Sequence, residues 1–319
     1  MKNKLTVNIS PHLHNNESVS KIMWIVGISL IPAGAAGVII FGLNALTVMI
    51  LGILSALVTE WLMQLLAKRR ITILDGSAFL TGLLLAYNLP PGVPLWLPAA
   101  GSFFAIAIGK QVFGGLGQNI FNPALVGRVF LMASWPKYMT TFTKPLNFDA
   151  VTSATPLAVL RESGVIENIS YLDLFLGRRG GCIGEVCILA LVAGALFLFW
   201  KGYISWHIPV TYTAVFAAFV YAFGGDGLFR GDWFFHILTG GLILGAFFMA
   251  TDYVTSPLTR KGQVIFGAGC GILTAVIRLW GGYPEGVSYA ILMMNAATPI
   301  IDRFTRNRIY GTMIPVNRK

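Results

Sequence analysis

The stretch KIMWIVGISLIPAGAAGVIIFGLNALTVMILGILSALVTEWLMQLLAKRR, Lys21 to Arg70, holds two long apolar runs, at about residues 22–42 and 45–67. One acidic residue, Glu60, interrupts the second, and Lys68, Arg69 and Arg70 end it. Each run approaches the ~20 residues that cross a ~30 Å hydrocarbon core as helix. Similar runs follow at roughly 72–89, 94–110, 120–135, 184–200, 205–223, 233–250, 263–280 and 286–302. The fifth, which begins at the triplet Asn122-Pro123-Ala124, reads as a short and partly broken helix. Of the 319 residues, 55% are hydrophobic and 11% charged, against roughly 25% charged in an average soluble domain. That balance excludes an ordinary cytosolic enzyme. The expected fold class is all-α, a polytopic membrane protein of about ten transmembrane helices in contact with lipid.

The basic residues set the expected topology. With the N-terminus inside, fifteen of the 23 Lys and Arg residues fall on inner segments, and Lys137, Lys144, Arg161, Arg178, Arg179 and Arg230 fall outside. This excess is the pattern of topology determinants. It divides the chain into a cytoplasmic tail (1–21), a first membrane half (22–135), an extracytoplasmic loop (136–183), a second membrane half (184–302) and a cytoplasmic tail (303–319). The N-terminal tail lacks the apolar core of a signal peptide, so the first helix is expected to insert the chain. The net charge of +10 is spread over short loops rather than gathered on one face with aromatics, so no nucleic acid partner is expected.

The halves echo each other. FLTGLLLAYNLP (79–90) resembles ILTGGLILGAFFMATD (237–252), and NPALVGR (122–128) resembles NAATPIIDR (295–303). Five spans on each side of the outer loop would place the halves in opposite orientations, as inverted repeats with a binding site near the midplane.

Several groups invite a chemical reading. In GGLGQNIFNPALVGR, Gly114, Gly115 and Gly117 permit backbone approach to a planar ligand. Gln118, Asn119 and Asn122 offer the amides that an isoalloxazine edge or a quinone carbonyl requires. A helix N-terminus with Asn122 as cap and Pro123 at the first position explains much of the same stretch without a ligand. Arg128 and Arg278 lie inside apolar runs, where a charge is a functional candidate by default. A phosphate, an anionic flavin, or a carboxylate such as Glu60 or Asp75 would partner them, and a structural ion pair or snorkelling accounts for them equally well. Glu60 is expected to be solvated near the inner interface, about two turns from Lys68. Asp252, Thr255, Ser256 and Thr259 form a polar cluster suited to capping or to a cation. Three cysteines are too few for a cluster ligated by thiolates alone, and unreactive buried thiols are expected. No metal-ligand set is visible.

The loop stretch NFDAVTSATPLAV (147–159) is the polar exception in an oily chain. Pro156 disfavours helix at Thr155 and would keep that residue extended and reachable. Asp149, Thr152, Ser153, Ala154 and Thr155 resemble the recognition sequence at which a flavin transferase joins flavin mononucleotide (FMN) to a threonine by a phosphoester bond. Together with GQNIFNPALVGR, FFMATDYVTSP (247–257) and GGYPEGVSYAILMMN (281–295), in this order and spacing, the motif is similar to the RnfD component of the Rnf complex, the ion-translocating ferredoxin:NAD oxidoreductase. The similarity runs from the first span to the last and extends to the NqrB component of the sodium-pumping NADH:quinone reductase.

The resemblance implies an electron-transport translocase subunit with FMN on Thr155 and a non-covalent riboflavin, whose pocket corresponds to Asn122, Asn119 and Gly117. It implies the partners RnfA, RnfB, RnfC, RnfE and RnfG, the last an extracytoplasmic flavoprotein, and a flavin transferase. Coupling would be to Na+ or H+. The rival expectations are a solute transporter or channel built on inverted repeats, for which the single Asn-Pro-Ala box is the hint, and a structural membrane scaffold.

Overall fold

The computed structural model describes residues 17–143, 152–153, 155–163, 170–225, 227–282 and 285–306. Helices α1 (Val19–Phe41) and α2 (Leu43–Leu66) reverse direction at Gly42, whose φ of 75° and ψ of −159° suit only glycine. Then come α3 (Ser77–Tyr87), α4 (Trp96–Ile106), continued as a π-helical turn over Ala107–Gln111, and α5 (Pro123–Ser134). The connecting region holds α6 (Pro136–Thr140), the two-residue strands β1 (Phe142–Thr143) and β2 (Thr152–Ser153), α7 (Pro156–Ser163) and α8 (Tyr171–Leu176). The strands pair antiparallel, Phe142 opposite Ser153. The second half contains α9 (Ile188–Lys201), α10 (His207–Phe223), α11 (Trp233–Leu238), α12 (Leu242–Leu244) running into a π-helical turn over Gly245–Met249, α13 (Arg260–Trp280) and α14 (Val287–Thr305).

Three helices, α1, α2 and α13, are each long and apolar enough to cross a membrane by length and composition. The expected eighth span is not continuous: it breaks at Gly240 and Gly241, whose φ values of 69° and 66° are left-handed. The third is a half-length helix entered through a 3-10 turn. All eight tryptophans lie within about two turns of a helix end. Trp24, Trp61, Trp200 and Trp206 mark one end of the bundle, and Trp96, Trp135, Trp233 and Trp280 the other. Between these belts large apolar side chains such as Ile39 and Leu196 face outward, the surface that hydrocarbon requires.

The two halves use the same pairings. The second helix packs on the fourth and the fourth on the fifth in each half, as α2–α4–α5 and α10–α13–α14, while α1 packs on α9. These last two run oppositely, since Tyr203, just after α9, donates to Glu17, just before α1 (2.8 Å). The hydrogen bond and charge of Lys21 hold the Glu17 carboxyl below its ordinary range. Backbones approach closely through small residues. A Cβ at Gly194 of α9 would stand 2.2 Å from the Ser29 carbonyl of α1, and one at Gly271 of α13 would stand 2.8 Å from the Tyr212 carbonyl of α10.

Glu60 departs from its expected solvation beside Lys68. It is 1% exposed, and both its oxygens accept from the Lys110 ammonium at 2.8 Å, with Gln64 and Gln111 also bonded to it. Lys110 in turn donates to Ser77 Oγ at the start of α3 (2.5 Å). The π-helical turn is what brings Lys110 and Gln111 inward together. Glu60→Ala, which strands a buried ammonium, is expected to cost about 3–5 kcal/mol, and the joint change Glu60→Met with Lys110→Met to recover most of it. Thermal unfolding of the detergent-solubilised protein reads both; equal losses in the single and joint variants would show that the pair does not set the stability of this end.

Candidate functional site

At the end marked by Lys110, a cavity of about 800 Å3, partly open, lies between α1, α3, α5 and the segment after Met249. Leu80, Leu84 and Phe248 give it apolar walls, while Thr81, Lys110, Asn119, Asn122, Thr251 and Asp252 place polar groups on its rim. Asn122 caps α5, its Oδ1 accepting from the Ala124 and Leu125 amides at 3.1 and 3.4 Å, and its Nδ2 donates across the bundle to the Met249 carbonyl at 3.2 Å. Capping and cavity lining are thus compatible in one residue. Asn119 donates to Phe121 O (3.1 Å) and also lines the cavity. Gly117 does not: it adopts φ 89° in the turn before α5, where a left-handed backbone, rather than a ligand, calls for glycine.

At the opposite end, Thr155 borders two further cavities. One, of about 560 Å3, is lined by Arg128, Met132, Met139, Phe142, Glu285 and Tyr289 among others. The other, of about 210 Å3, is lined by Leu157, Arg179, Glu185, Thr239, Gly240 and Glu285 around the same threonine. Thr155 is therefore not the reachable residue that its place before Pro156 suggests. It is 6% exposed and serves as the cap of α7: its Oγ1 accepts from Ala158 N (3.2 Å) and its carbonyl from Val159 N (3.0 Å). Proline forbids helix at the preceding residue but suits the first helical position, so the same dipeptide that breaks one element starts the next. Of the expected attachment motif, Thr152 and Ser153 form β2, while Asp149 and Ala154 lie outside the described residues.

A polar chain joins the two ends. From Asn122 it passes through Met249, whose Sδ receives Asn88 Nδ2 at 3.6 Å, to Asn88 Oδ1, which accepts from Arg128, and on to Glu285, which pairs with Arg128. Arg128 thus finds Glu285 rather than Glu60 or Asp75. Arg278 finds carbonyls instead of a carboxylate: His236 O at 2.5 Å and Gly240 O at 3.2 Å, with the Phe216 ring stacked below the guanidinium. Asn88, Lys110, Arg179, Glu185 and Glu285 were not marked as site residues by the sequence. Asn88 carried a readable signal, as a lone amide in the apolar run before Pro90. Glu285 and Arg179 sit in short Gly-rich turns, where an acid or a base ordinarily faces water.

The two ends also match as repeats. Thr81 and Thr239, equivalent in the echoed stretches, each bond the carbonyl four residues back (2.9 and 2.8 Å), and each lines a cavity. Lys110 near the end of the fourth helix of its half ties down the start of α3. Arg278, near the end of the fourth helix of the other half, ties down the break between α11 and α12. Cys182 and Cys270 are buried and Cys187 half-buried, none in a disulfide.

A model of the NQR2, RnfD, RnfE family matches residues 6–311. Over 98% of its length the chain is 53% identical to the D component of the proton-translocating ferredoxin:NAD(+) oxidoreductase complex of Clostridium ljungdahlii, of which it covers 97%. It is 52% identical to the D component of the Na(+)-translocating ferredoxin:NAD(+) oxidoreductase complex of Acetobacterium woodii, with 96% of this chain and 95% of that one covered. The D component of the ion-translocating oxidoreductase complex of Stutzerimonas stutzeri is 40% identical, over 92% of each chain. An all-helical membrane protein with broken helices, paired cavities and this similarity along nearly its whole length belongs to the NQR2, RnfD, RnfE family.

Proposed function

We propose that the chain is the RnfD membrane component of an ion-translocating ferredoxin:NAD oxidoreductase complex, and that it relays electrons through FMN joined to Thr155 while the complex moves Na+ or H+. The observation that carries the redox part is the placing of Thr155: the residue that completes the Asp149–Thr155 motif borders a cavity of about 560 Å3 with largely apolar walls and Arg128 and Glu285 at its polar end. A flavin held by a phosphoester keeps its ring unsubstituted and supplies one- and two-electron chemistry. What the chain adds is the seat. Met132, Met139 and Phe142 offer polarizable walls to a flat ring, and Arg128, fixed between Asn88 and Glu285, offers a positive charge to the side of the ring that becomes electron-rich. Because Thr155 is enclosed, attachment by the transferase precedes the settling of α7 over the cavity.

The cavity at the Lys110 end fits a non-covalent riboflavin. Asn119, Asn122, Thr81 and Thr251 supply the donors and acceptors that an isoalloxazine edge takes. The chain from Asn122 through Met249 and Asn88 to Arg128 would link the two flavin seats. The relatives at 53% and 52% identity are named for different ions, so overall similarity leaves both cations in the proposal. The small flavoprotein RnfG is the expected acceptor or donor at the Thr155 end, and RnfA, RnfB, RnfC and RnfE the remaining partners. With the basic residues inside, Thr155 would face out of the cytoplasm.

Inverted halves with a cavity at each end also suit a solute transporter without a redox group. A visible spectrum of the purified chain separates the readings, since only the first gives flavin bands. Thr155→Val is expected to abolish the fluorescent flavin band of this chain on a denaturing gel; a band that persists would move the attachment elsewhere. Thr251→Trp, which fills the other cavity, is expected to remove the acid-extractable flavin and leave the fluorescent band in place. Loss of neither, or of both together, would separate that cavity from riboflavin.

A further inference from the structure

Leu258 stands 84% exposed on the turn between the broken eighth span and α13. The turn is held in this posture from both sides. Its own amide donates to Asp302 Oδ1 on α14 (3.1 Å), and the Gln263 side chain donates to the Pro257 carbonyl (3.3 Å). The fold thus fixes an aliphatic side chain outward, where water would disfavour it. Helix α13 starts two residues later at Arg260 and ends at Trp280, about 30 Å away at the rise of a helix. Leu258 therefore lies at the belt opposite Trp280, and it shares a groove there with Trp206, itself 58% exposed.

Open grooves flank Leu258 on two sides, and both are basic. The first is lined by Leu258, Ser205, Trp206, His207, Arg260 and Gln263. Its polar floor is satisfied, since Ser205 Oγ donates to Gln263 Oε1 (2.9 Å), whereas Arg260 has no acid beside it in the lining. The second holds Thr259, Asp302, Arg303 and Arg306. Asp302, the acid of its lining, already accepts from the Leu258 amide. Arg260, Arg303 and Arg306 form no ion pair among the described residues. An exposed aliphatic side chain and an interfacial tryptophan suit acyl chains, and unpaired cations next to them suit negative charge at the depth of the headgroups.

We propose that this collar binds an anionic phospholipid of the leaflet at the Lys110 end, with its phosphate on Arg260 and its acyl chains against Leu258 and Trp206. Arg303 and Arg306 extend the positive field to a neighbouring headgroup. A zwitterionic lipid offers the same chains but sets its own cation near Arg260, and free phosphate lacks the chains that cover Leu258. The turn continues back into Thr251, Asp252 and Val254, which line the cavity at this end, so a lipid seated here braces one wall of that cavity.

The test uses the complex in phosphatidylcholine vesicles, with the acyl chains of either phosphatidylglycerol or phosphatidylcholine brominated to quench tryptophan. The quenching lost in Trp206→Phe reports the lipid beside that ring. In the wild type this component is expected to reach half its maximum at a mole fraction of brominated phosphatidylglycerol about fivefold lower than that of brominated phosphatidylcholine, the preference that one interfacial cation gives. Arg260→Gln should bring the two close to equality, and Arg260→Lys should keep most of the difference. Equal half-points in the wild type, or a preference untouched in Arg260→Gln, overturn the proposal. If Arg260→Gln does not accumulate, salt decides: the wild-type preference should shrink several-fold between about 0.05 and about 0.5 M NaCl, and a preference indifferent to salt overturns it. Displacement of brominated phosphatidylglycerol by inorganic phosphate at matched concentration would assign the site to free phosphate, and absence of any Trp206 component would place a protein partner over this face; each overturns the lipid assignment.

Discussion

A helix that breaks inside an apolar bundle exposes backbone carbonyls and amides that water does not reach, and these must be met by side chains. Much of the polar architecture answers this demand. Asn122 bonds the carbonyl of Met249, where the broken eighth span ends. Asn88 turns back on the Leu84 carbonyl at the end of α3. Arg278 takes the carbonyls on both sides of the break between α11 and α12. Lys110 holds the first residue of α3 through Ser77 Oγ. Once such groups are buried to serve the backbone, their charges and spare hydrogen bonds line whatever space the broken helices leave.

That space holds the candidate sites. The half-length and broken helices, α3 and α11–α12, open a cavity toward each end of the bundle, and each of these cavities is lined by the threonine at the same repeat position, Thr81 or Thr239. The repeat has diverged where chemistry differs. Lys110 faces Glu60 and forms a closed ion pair, whereas among the described residues Arg278 and Arg179 bond only carbonyls. Between the two ends the polar side chains of Asn122, Asn88 and Arg128 span the otherwise apolar middle.

Much of this was legible in the chain. Apolar runs of the right length gave helices, because hydrocarbon penalises any unpaired backbone, and the paired echoes at 79–90 and 237–252 marked the two elements that prove to be broken. The cap at Asn122 followed from Asn before Pro. Thr155 was found by its motif, yet its surroundings were misread: a polar loop beside a proline normally lies in water, and here Thr155 is buried beside charged residues from three other segments, Arg128, Arg179 with Glu185, and Glu285. Glu60 was misread for the same reason. Lys68 is near in sequence, but the π-helical turn brings Lys110 nearer in space.

Local composition and spacing are enough to establish that the chain is helical and that it lives in a membrane, while the resemblance to a family motif is what singles out Thr155 as the candidate anchor. Which buried charges meet was settled by packing alone. Arg128 with Glu285 and Lys110 with Glu60 are pairings between residues 157 and 50 positions apart. The reason is that in a low-dielectric interior a charge is governed by its nearest few neighbours in space, and only the arrangement of the helices says which those are.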